Sequence, residues 1–170
     1  MPTQYRRNAG IVVFNKNHRV LLCKRNDVAE SWQFPQGGID EGETVAAAAL
    51  RELKEETSLT NVQLIKSLDT PARYTFPPEI IKKMRARGFQ NVGQDIYWSF
   101  VYFDGNDSEI NLQTAEPEFS EYRWDTMQNA CRLIVDFKKD AYLKAQTAFV
   151  QILSEYPTDC SVELKSNNTG

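Results

Sequence analysis

The apolar residues near the start of the chain fall into two short runs that predict a β-hairpin. Residues 9–14 and 19–25 are rich in β-branched and other apolar side chains, and the turn formers NKNH lie between them. The lone His18 is therefore expected at the tip of a loop. A further run over residues 62–69 predicts another strand, and the proline-containing stretch over residues 70–93 predicts a long connection.

The second half of the chain predicts a strand that is buried on both faces. Residues 94–103 carry apolar and aromatic side chains at successive positions, so neither face of an extended chain is polar. One face holds Ile96, Trp98, Phe100 and Tyr102, and the other holds Tyr97, Val101 and Phe103. A turn over DGND follows, and residues 121–124 predict a short strand.

Two helices are predicted from capping residues and helical spacing. Thr44 precedes a run of strong helix formers, which predicts a helix over residues 44–57. Asp136 is expected to cap a final helix that packs on the sheet through one apolar stripe. This stripe comprises Ala141, Ala145, Ala148, Phe149, Ile152, Leu153 and Tyr156.

The composition favours one compact domain. Of the 170 residues, 41% are hydrophobic and 25% are charged, which excludes a disordered or collagen-like chain. We expect the domain to span residues 1–156 and the polar residues 157–170 to form a flexible tail. No apolar run approaches the ~20 residues that cross a bilayer, and the first residues lack the apolar stretch of a signal peptide. The expected location is therefore the cytoplasm, without membrane contact.

Charge and cysteine content narrow the classes of partner. The formal net charge of -3 argues against bulk coating of DNA, so contact with nucleic acid must use a local basic patch. The run KKMRAR over residues 82–87 is either solvated surface or a guide for an RNA chain. Cys23, Cys131 and Cys160 are far apart and odd in number, which indicates reduced thiols rather than a zinc site.

The first predicted helix carries three carboxylates on one face. Glu52, Glu55 and Glu56 share roughly a third of the helix circumference, because three and four residues are both close to one turn. Like charges at these spacings cost an isolated helix ~0.2–0.5 kcal/mol per pair. Oxygen-only ligands suit a hard cation such as Mg²⁺ or Mn²⁺. The alternative is a solvated acidic face.

The segment FPQGGIDEGE, residues 34–43, lies just before this helix. Its adjacent glycines Gly37 and Gly38, together with Gly42, predict a tight loop that runs close to a ligand. From Gly37 onward, segment and helix give the pattern G-x5-E-x7-R-E-L-x-E-E. The matching positions are Glu43, Arg51, Glu52, Leu53, Glu55 and Glu56. This pattern resembles the Nudix box.

The resemblance extends over roughly residues 5–156. The stretches YRRNAGIVVF, SWQFPQGGIDEGE, EPEFSEYRW and VDFKKDAY are similar to bacterial RNA pyrophosphohydrolases and plant-type dinucleoside polyphosphate hydrolases of the Nudix superfamily. The resemblance implies the Nudix fold, of class α/β (α+β), in which a mixed β-sheet is sandwiched between helices. This agrees with the order of strands and helices predicted above.

Three positions depart from the family pattern. Ser58 stands where the family has a glycine that ends the helix, which is expected to cost about 1 kcal/mol locally if the residue is left-handed. Ile96 and Tyr97 stand where these relatives carry a glutamine and a lysine. Because that lysine is absent, we expect other cations to bind the substrate phosphates, with Arg6, Arg25, Arg73 or Lys138 as candidates.

The resemblance also implies which residues do the chemistry. Glu52 and Glu56 would hold Mg²⁺ or Mn²⁺ together with a backbone carbonyl near Gly37, and Glu55 would complete the cluster. Glu118 matches a further functional glutamate of the relatives, either as a metal ligand or as the general base. The charged pair Glu43 and Arg51 is expected to hold the loop to the helix, which suits an arginine fork.

Recognition of the substrate is expected to involve five further side chains. Arg6 and Arg25 are candidates for the phosphates, with surface solvation as the alternative. Phe137 is a candidate for stacking on a base, with Lys138 beside its phosphate, although Phe137 is equally a candidate core residue. Tyr74 is a further candidate for the nucleotide.

The resulting hypothesis is a metal-dependent pyrophosphohydrolase that cleaves a phosphoanhydride by in-line attack of water. The preferred substrate is 5′-triphosphorylated RNA, from which it would remove pyrophosphate. Dinucleoside polyphosphates, free nucleoside triphosphates and a non-catalytic nucleotide- or RNA-binding module are the alternatives. Retention of three mutually repelling glutamates argues against the binding module. A nucleotide or RNA 5′ end is the expected partner, DNA is not, and the oligomeric state is left open, a monomer included.

Overall fold

The hydrophobic runs form one mixed β-sheet in the computed structural model, which describes residues 4–28 and 30–155. Within these ranges the strands are β1 (Tyr5–Phe14), β2 (Val20–Arg25), β3 (Trp32–Gln33), β4 (Gln36–Gly38), β5 (Gln63–Ser67), β6 (Ala72–Thr75), β7 (Gly93–Tyr102) and β8 (Phe119–Asp125). The helices are α1 (Val45–Thr57), α2 (Pro78–Ala86), α3 (Met127–Leu133) and α4 (Lys139–Glu155).

The centre of the sheet is a parallel pair of long strands. β1 and β7 pair in parallel from Tyr5 opposite Gly93 to Phe14 opposite Tyr102. The strand order is β3-β2-β1-β7-β5, while β4 pairs with β1, β6 with β7, and β8 with β2, all antiparallel. The expected mixed sheet is therefore confirmed.

The two faces of the sheet are buried against different helices. On one face, Trp98 and Phe100 of β7 pack with Tyr142 and Phe149 of α4. On the other face, Val101 belongs to a second cluster that includes Ala48, Ala49 and Leu53 of α1. The sheet thus lies between helices, and β7 is buried on both sides as its sequence predicts.

The first hairpin and the first helix are confirmed. Phe14 pairs with Val20 across the predicted turn. Helix α1 begins after Thr44, whose hydroxyl accepts a hydrogen bond from the backbone N–H of Ala47 at 3.0 Å. The prediction of a tight glycine loop is wrong for Gly37 and Gly38, which form the short strand β4 along β1.

The long connection predicted over residues 70–93 is wrong, because it contains both β6 and α2. Strand β6 pairs with β7, a partner distant in sequence. Pro78 opens α2 at a position where the missing N–H and the fixed φ of proline are compatible with a helix. Prolines that read as loop residues thus mark the start of a helix here.

The end of the chain differs from its prediction in three respects. Residues 136–138 form a 3₁₀ turn without a side-chain cap, so Asp136 does not cap α4, which begins at Lys139. The short helix α3, capped by Thr126, was not predicted. Strand β8 is longer than residues 121–124. The predicted tail over residues 157–170 lies outside the described residues.

The apolar stripe of α4 agrees with its prediction wherever the structure describes it. Four of its members are buried and two are partly buried against the same core. The buried members are Ala141, Ala145, Phe149 and Ile152, the partly buried ones are Ala148 and Leu153, and Tyr156 lies outside the described residues.

The described cysteines are unpaired, and the described helices are not of a membrane-spanning type. Cys23 and Cys131 are free and buried, and Cys160 lies outside the described residues. Between residues 4 and 155, Ala29 excepted, no helix has the length and apolar character needed to cross a membrane.

Ser58 ends α1 in the left-handed conformation that the family glycine would adopt, with φ of 69°. Its backbone N–H bonds to the carbonyl of Lys54 at 2.9 Å. The side chain adds a bond that glycine cannot make, because its hydroxyl donates to the carbonyl of Asn111 at 2.8 Å. The serine therefore offsets part of its backbone strain.

We expect Ser58→Ala to lower the free energy of unfolding by about 1 kcal/mol, because it keeps the strain and loses the hydrogen bond. Ser58→Gly should change it by less, since relief of strain offsets the lost bond. Denaturant unfolding of both variants checks this. Equal destabilisation by both changes would contradict the balance, and a gain near 1 kcal/mol for Ser58→Gly alone would mean that the hydroxyl contributes nothing.

Candidate active site

Arg51 joins the loop before α1 to the helix itself. Its Nε and Nη2 donate to the two carboxylate oxygens of Glu43, both at 2.8 Å, and Nη2 also donates to the carbonyl of Gly38 at 2.9 Å. Its Nη1 donates to Glu52 at 2.8 Å and to Glu55 at 3.3 Å. One guanidinium thus holds the loop and also compensates two of the three clustered glutamates.

Gly37 provides the space in which the Glu52 carboxylate lies. A Cβ built on Gly37 would stand 2.0 Å from the carboxyl carbon of Glu52, far inside any tolerable contact. On the opposite face of β4, a Cβ on Gly38 would stand 2.1 Å from Nη2 of Arg6. Successive residues of a strand face opposite sides. The glycine pair therefore admits a carboxylate on one side and a guanidinium on the other.

Glu56 is an acidic residue in a buried position, with only 5% of its surface exposed. Its pKa is raised to about 9, chiefly by burial and also by the carboxylates of Glu118 and Glu52, against a hydrogen bond from the backbone N–H of Gln36. One carboxylate oxygen, Oε2, is buried without a hydrogen-bond partner among the described residues. Such an oxygen is costly unless something else satisfies it.

Glu118 lies across a cleft of about 700 Å³ from the glutamates of α1. The carbonyl of Glu118 accepts a hydrogen bond from the N–H of Asn26, and the Asn26 side chain donates to the carbonyl of Pro117. This segment is therefore tied to the end of β2. Much of the surface of Glu118 is accessible to solvent. Its carboxylate is nevertheless partly desolvated, which raises its pKa, while the positive charge of Arg25 acts to lower it.

The donor set fits a hard divalent cation by its chemistry. Burial raises the pKa of Glu52, against the hydrogen bond from Arg51, and Glu55 and Glu118 raise it further. With the unpartnered Oε2 of Glu56, these carboxylates supply the oxygen ligands that Mg²⁺ and Mn²⁺ prefer. In their present rotamers, however, no three His, Cys, Asp or Glu side chains of the described residues are arranged to hold one ion. Arg51 draws Glu52 and Glu55 toward itself, so cation binding requires side-chain rotation.

Three of the candidate recognition residues, Tyr74, Phe137 and Lys138, lie together on the other face of the sheet, in an aromatic group that we call the aromatic recess. Tyr74 is buried, and its ring lies 5.6 Å from that of Phe137, centroid to centroid. Phe76 contacts both rings, each with a centroid distance of 6.0 Å. Phe137 is only partly buried. It therefore packs against the core and keeps part of its surface accessible.

Lys138 is buried beside this recess, with 7% of its surface exposed. Its Nζ lies 5.4 Å from the centre of the Tyr74 ring and makes no ion pair within the described residues. Burial, together with the positive charge of Arg25, lowers the pKa of Lys138 to about 8. A buried, uncompensated cation of this kind is suited to an anionic ligand.

The pKa of Lys138 predicts a pH-dependent cost to stability. Because its ordinary pKa is 10.5, the unfolded state binds more protons between about pH 8 and 10.5, so the cost is present at pH 7 and disappears as the pH approaches 10.5. We expect Lys138→Met to raise the free energy of unfolding by about 2–3 kcal/mol at pH 7 and by progressively less above pH 8.

Denaturant unfolding of Lys138→Met and wild type over this pH range measures the effect. Lys144→Met, at an exposed position of α4, is the matched control and should show no such pH-dependent difference. A stability difference for Lys138→Met that does not vary with pH would show that the ammonium is not its source.

Gln36 and Gln94 are site residues that the sequence did not reveal. The Gln94 side chain accepts hydrogen bonds from the Tyr74 hydroxyl and, at 3.0 Å, from the Gln36 side chain. The backbone of Gln36 also bonds to Glu56. Gln36 therefore connects the carboxylate cleft with the aromatic recess. Both glutamines flank glycines of the motif stretches, the only signal in the sequence that marks them.

The charge of Arg25 acts on residues of both the carboxylate cleft and the aromatic recess. Its Nη2 and Nε donate to the two oxygens of Asp27 at 2.6 Å and 2.9 Å. Its charge lowers the pKa of Glu118, Tyr74 and Lys138, although burial raises the first two. Arg25 is thus close to both the cleft and the recess.

Arg73 lies on β6 opposite Asp95, next to the β7 positions Ile96 and Tyr97 where the sequence departs from the family pattern. Arg73 pairs with Asp95 at 2.8 Å and stacks on the ring of Tyr5 at 3.8 Å. Ile96 is buried in the core. Tyr97 faces the other side, where Arg7 lies 5.1 Å from its ring centre. A lysine at position 97 would place a further cation beside Arg7, whereas the Tyr97 ring instead stacks with the Arg7 guanidinium.

Comparison with known proteins agrees with this architecture. The NUDIX domain family profile matches residues 4–146. The chain is 41% identical over 150 residues to an RNA pyrophosphohydrolase of Pelagibacter ubique (strain HTCC1062), which covers 88% of this chain and 94% of that protein. It is 38% identical over 156 residues to Nudix hydrolase 26, chloroplastic, of Arabidopsis thaliana, with 89% and 72% coverage.

Solved structures show the same fold at lower identity. The E. coli dihydroneopterin triphosphate pyrophosphohydrolase gives a TM-score of 0.61 at 22% identity and covers 84% of this chain and 97% of its own. A C. elegans Ap4A hydrolase binary complex gives 0.58 at 21% identity, with 85% and 98% coverage. These likenesses concern the fold alone. The chain belongs to the NUDIX domain family and is a Nudix hydrolase, which confirms the resemblance inferred from its motifs.

Proposed function

We propose that the protein removes pyrophosphate from 5′-triphosphorylated RNA in a reaction that depends on a divalent cation. The observation that carries the proposal is the connection through Gln36 between a carboxylate cleft and an aromatic recess with a buried lysine. One compartment suits a phosphoanhydride with its cation, and the other suits a nucleotide. The name RNA pyrophosphohydrolase, carried by relatives at 41% and 42% identity, supports the same substrate.

The carboxylates of Glu52 and Glu56, with Glu55 and the backbone at Gly37, would hold the cation, which is Mg²⁺ or Mn²⁺. When bound, such a cation neutralises charge on the non-bridging phosphate oxygens. Arg51 would release Glu52 and Glu55 for this purpose while its fork to Glu43 keeps the loop in place. Glu56 would have to lose the proton that its raised pKa retains at neutral pH.

Glu118 is our candidate for the general base. Its pKa is raised by partial removal from solvent, which brings its basicity closer to the working pH than that of a free carboxylate. The Glu118 carboxylate would accept a proton from the attacking water as the phosphoanhydride bond breaks. The products are 5′-monophosphorylated RNA and pyrophosphate. A role for Glu118 as a further metal ligand is the alternative for the same position.

The aromatic recess would bind the first nucleotides of the RNA. The accessible part of the Phe137 ring would be available to a base, and a stacked base is typically worth ~1–3 kcal/mol. The ammonium of Lys138 and the guanidinium of Arg25 would contact phosphate, at the expense of the pairing between Arg25 and Asp27. Arg6, held above Gly38, is a further cation near β4. A cytoplasmic location belongs to the same proposal.

Hydrolysis of three substrates in one assay tests the proposal. We expect triphosphorylated RNA to give a kcat/KM at least about tenfold above diadenosine tetraphosphate and free nucleoside triphosphates. This advantage of ~1.4 kcal/mol is one that stacking of a single base beyond the first nucleotide suffices to supply. Release of pyrophosphate and of RNA with a single 5′ phosphate should accompany it. Preference for diadenosine tetraphosphate would make the protein a dinucleoside polyphosphate hydrolase. Binding of RNA without turnover of any substrate would make it a binding module.

A further inference from the structure

Helix α2 presents an exposed basic surface. Lys82, Lys83, Arg85 and Arg87 are all exposed. None of them makes an ion pair with a carboxylate of the described residues, although the whole chain has a net charge of -3. On its other side, α2 packs against the core through Ile80, Ile81 and Met84. We call the exposed cations of α2 with Arg87 the basic surface.

Interaction with the helix dipole does not fully account for the clustered cations of α2. Cations in the last turn do interact well with the helix dipole, and Lys83 and Arg85 are placed there. Lys83 and Arg87, however, are four residues apart, a spacing at which like charges repel. No described carboxylate lies within ion-pair distance of either cation, and Asp27 acts on Arg87 only at longer range. An anionic ligand would relieve the remaining repulsion.

The basic surface adjoins the candidate active site at both of its ends. Phe76, one residue before the Pro77–Pro78 pair, contacts the rings of Tyr74 and Phe137 in the recess. At the other end, Arg87 is close enough to Asp27 to add to the lowering of its pKa, which the hydrogen bonds from Arg25 dominate. The basic surface therefore continues the recess rather than standing apart from it.

An exposed aromatic ring lies beside these cations. Phe89 is 43% exposed, and its backbone N–H is held by the carbonyl of Met84 at 2.9 Å. Cations that follow a phosphate backbone, together with rings on which bases stack, are the two devices by which proteins hold single-stranded nucleic acid. A helix of nine residues is about 14 Å long, enough to face several phosphates of an RNA strand.

We infer that the basic surface and Phe89 bind the RNA chain downstream of its triphosphorylated end. The inference rests on the proposed function and goes further, because it makes the length of the RNA a determinant of affinity. Nucleotides bound in the recess lead the strand past Phe76 onto α2. Substrates with only one or two nucleotides end before they reach it.

The test compares a triphosphorylated RNA of ten unstructured nucleotides with a triphosphorylated dinucleotide. We expect the double variant Lys83→Gln/Arg85→Gln to raise KM for the long RNA by about 3- to 10-fold and to leave kcat unchanged. The slope of log kcat/KM against log salt should fall by ~1.4, because each phosphate contact to a single strand contributes ~0.7. KM for the dinucleotide should not change.

A charge-matched control and a second variant keep the test specific. Lys16→Gln/Lys144→Gln removes the same charge from exposed positions elsewhere and should leave the long-RNA KM as in wild type. Phe89→Ala should raise the long-RNA KM by about 3- to 5-fold at an unchanged salt slope, because stacking is not electrostatic. Melting temperatures of all variants exclude a folding defect as the cause.

Three outcomes would overturn the inference. An unchanged long-RNA KM in both variants would remove RNA from the basic surface, and so would an equal rise for the control or for the dinucleotide. In both cases the proposed function survives if wild type still converts the triphosphorylated dinucleotide to its monophosphate. Failure of wild type to cleave either RNA would instead reject the proposed function, and the inference with it.

Discussion

Glu56→Gln is expected to retain the fold and to lose about 100-fold or more in kcat, equivalent to ~2.7 kcal/mol of barrier. The amide has nearly the shape of the carboxyl group but cannot supply the negative charge that holds a hard cation. Steady-state rates on the best substrate measure the loss. A rate equal to wild type would mean that Glu56 does not hold the cation.

The melting temperature of the same variant carries a second signal. Since the pKa of Glu56 is raised from 4.5 to about 9, the neutral form stabilises the fold fully below about pH 4.5, and this contribution is lost as the pH rises to about 9. Glutamine stays neutral, so cation-free Glu56→Gln should melt no lower than wild type at pH 7. Saturating Mg²⁺ should raise the melting temperature of wild type by mass action and that of the variant much less.

A control at an exposed acid separates local charge from global charge. Glu41→Gln removes one negative charge from the loop before α1 and should leave both the rate and the Mg²⁺ response unchanged. Equal Mg²⁺ responses in Glu56→Gln and wild type would contradict the metal assignment, even if the rate had fallen.

Gly37→Ala is expected to reduce kcat/KM by about 100-fold, ~2.7 kcal/mol of transition-state stabilisation, with the fold retained. The added methyl would occupy the position of the Glu52 carboxylate, which must move away from the cleft. The φ of Gly37 is not in the left-handed region, so the backbone itself tolerates alanine. Activity and the Mg²⁺-dependent melting shift should therefore fall together.

Gly42→Ala is the matched control for this change. Gly42 has φ of 81°, and a Cβ there would meet nothing within 4 Å. Alanine should therefore cost about 1 kcal/mol of stability through backbone strain and leave kcat/KM unchanged. A stable Gly37→Ala protein with wild-type activity would show that Glu52 has no part in the reaction.

The sequence predicted those parts of the site that one element carries. The spacing of Glu52, Glu55 and Glu56 fixes their common face, because it depends only on the helix period. The cap at Thr44 is similarly local. In contrast, the contact between Gln36 and Gln94 arises because β4 and β7 both pair with β1, which no local pattern encodes. Gln36 and Gln94 were therefore missed, although both lie in stretches that resemble the family.

The errors in the fold have the same origin. Strand β6 is short and lies among prolines, and its pairing with β7 is what makes it a strand. Asp136 has the side chain of a helix cap, but the chain there forms a 3₁₀ turn, and Lys138 within it is buried beside Tyr74. Tertiary contact overrode local preference at both positions.

The parallel pairing of β1 with β7 also constrains the order in which the molecule folds. Tyr5 must meet Gly93, so a long loop has to close before the centre of the sheet gains its hydrogen bonds. Helix α1 can form early from local contacts, with its repelling carboxylates exposed to water. Glu118 and Lys138 are synthesised later than β7, so a growing chain carries the acidic helix well before it carries all of the candidate site residues.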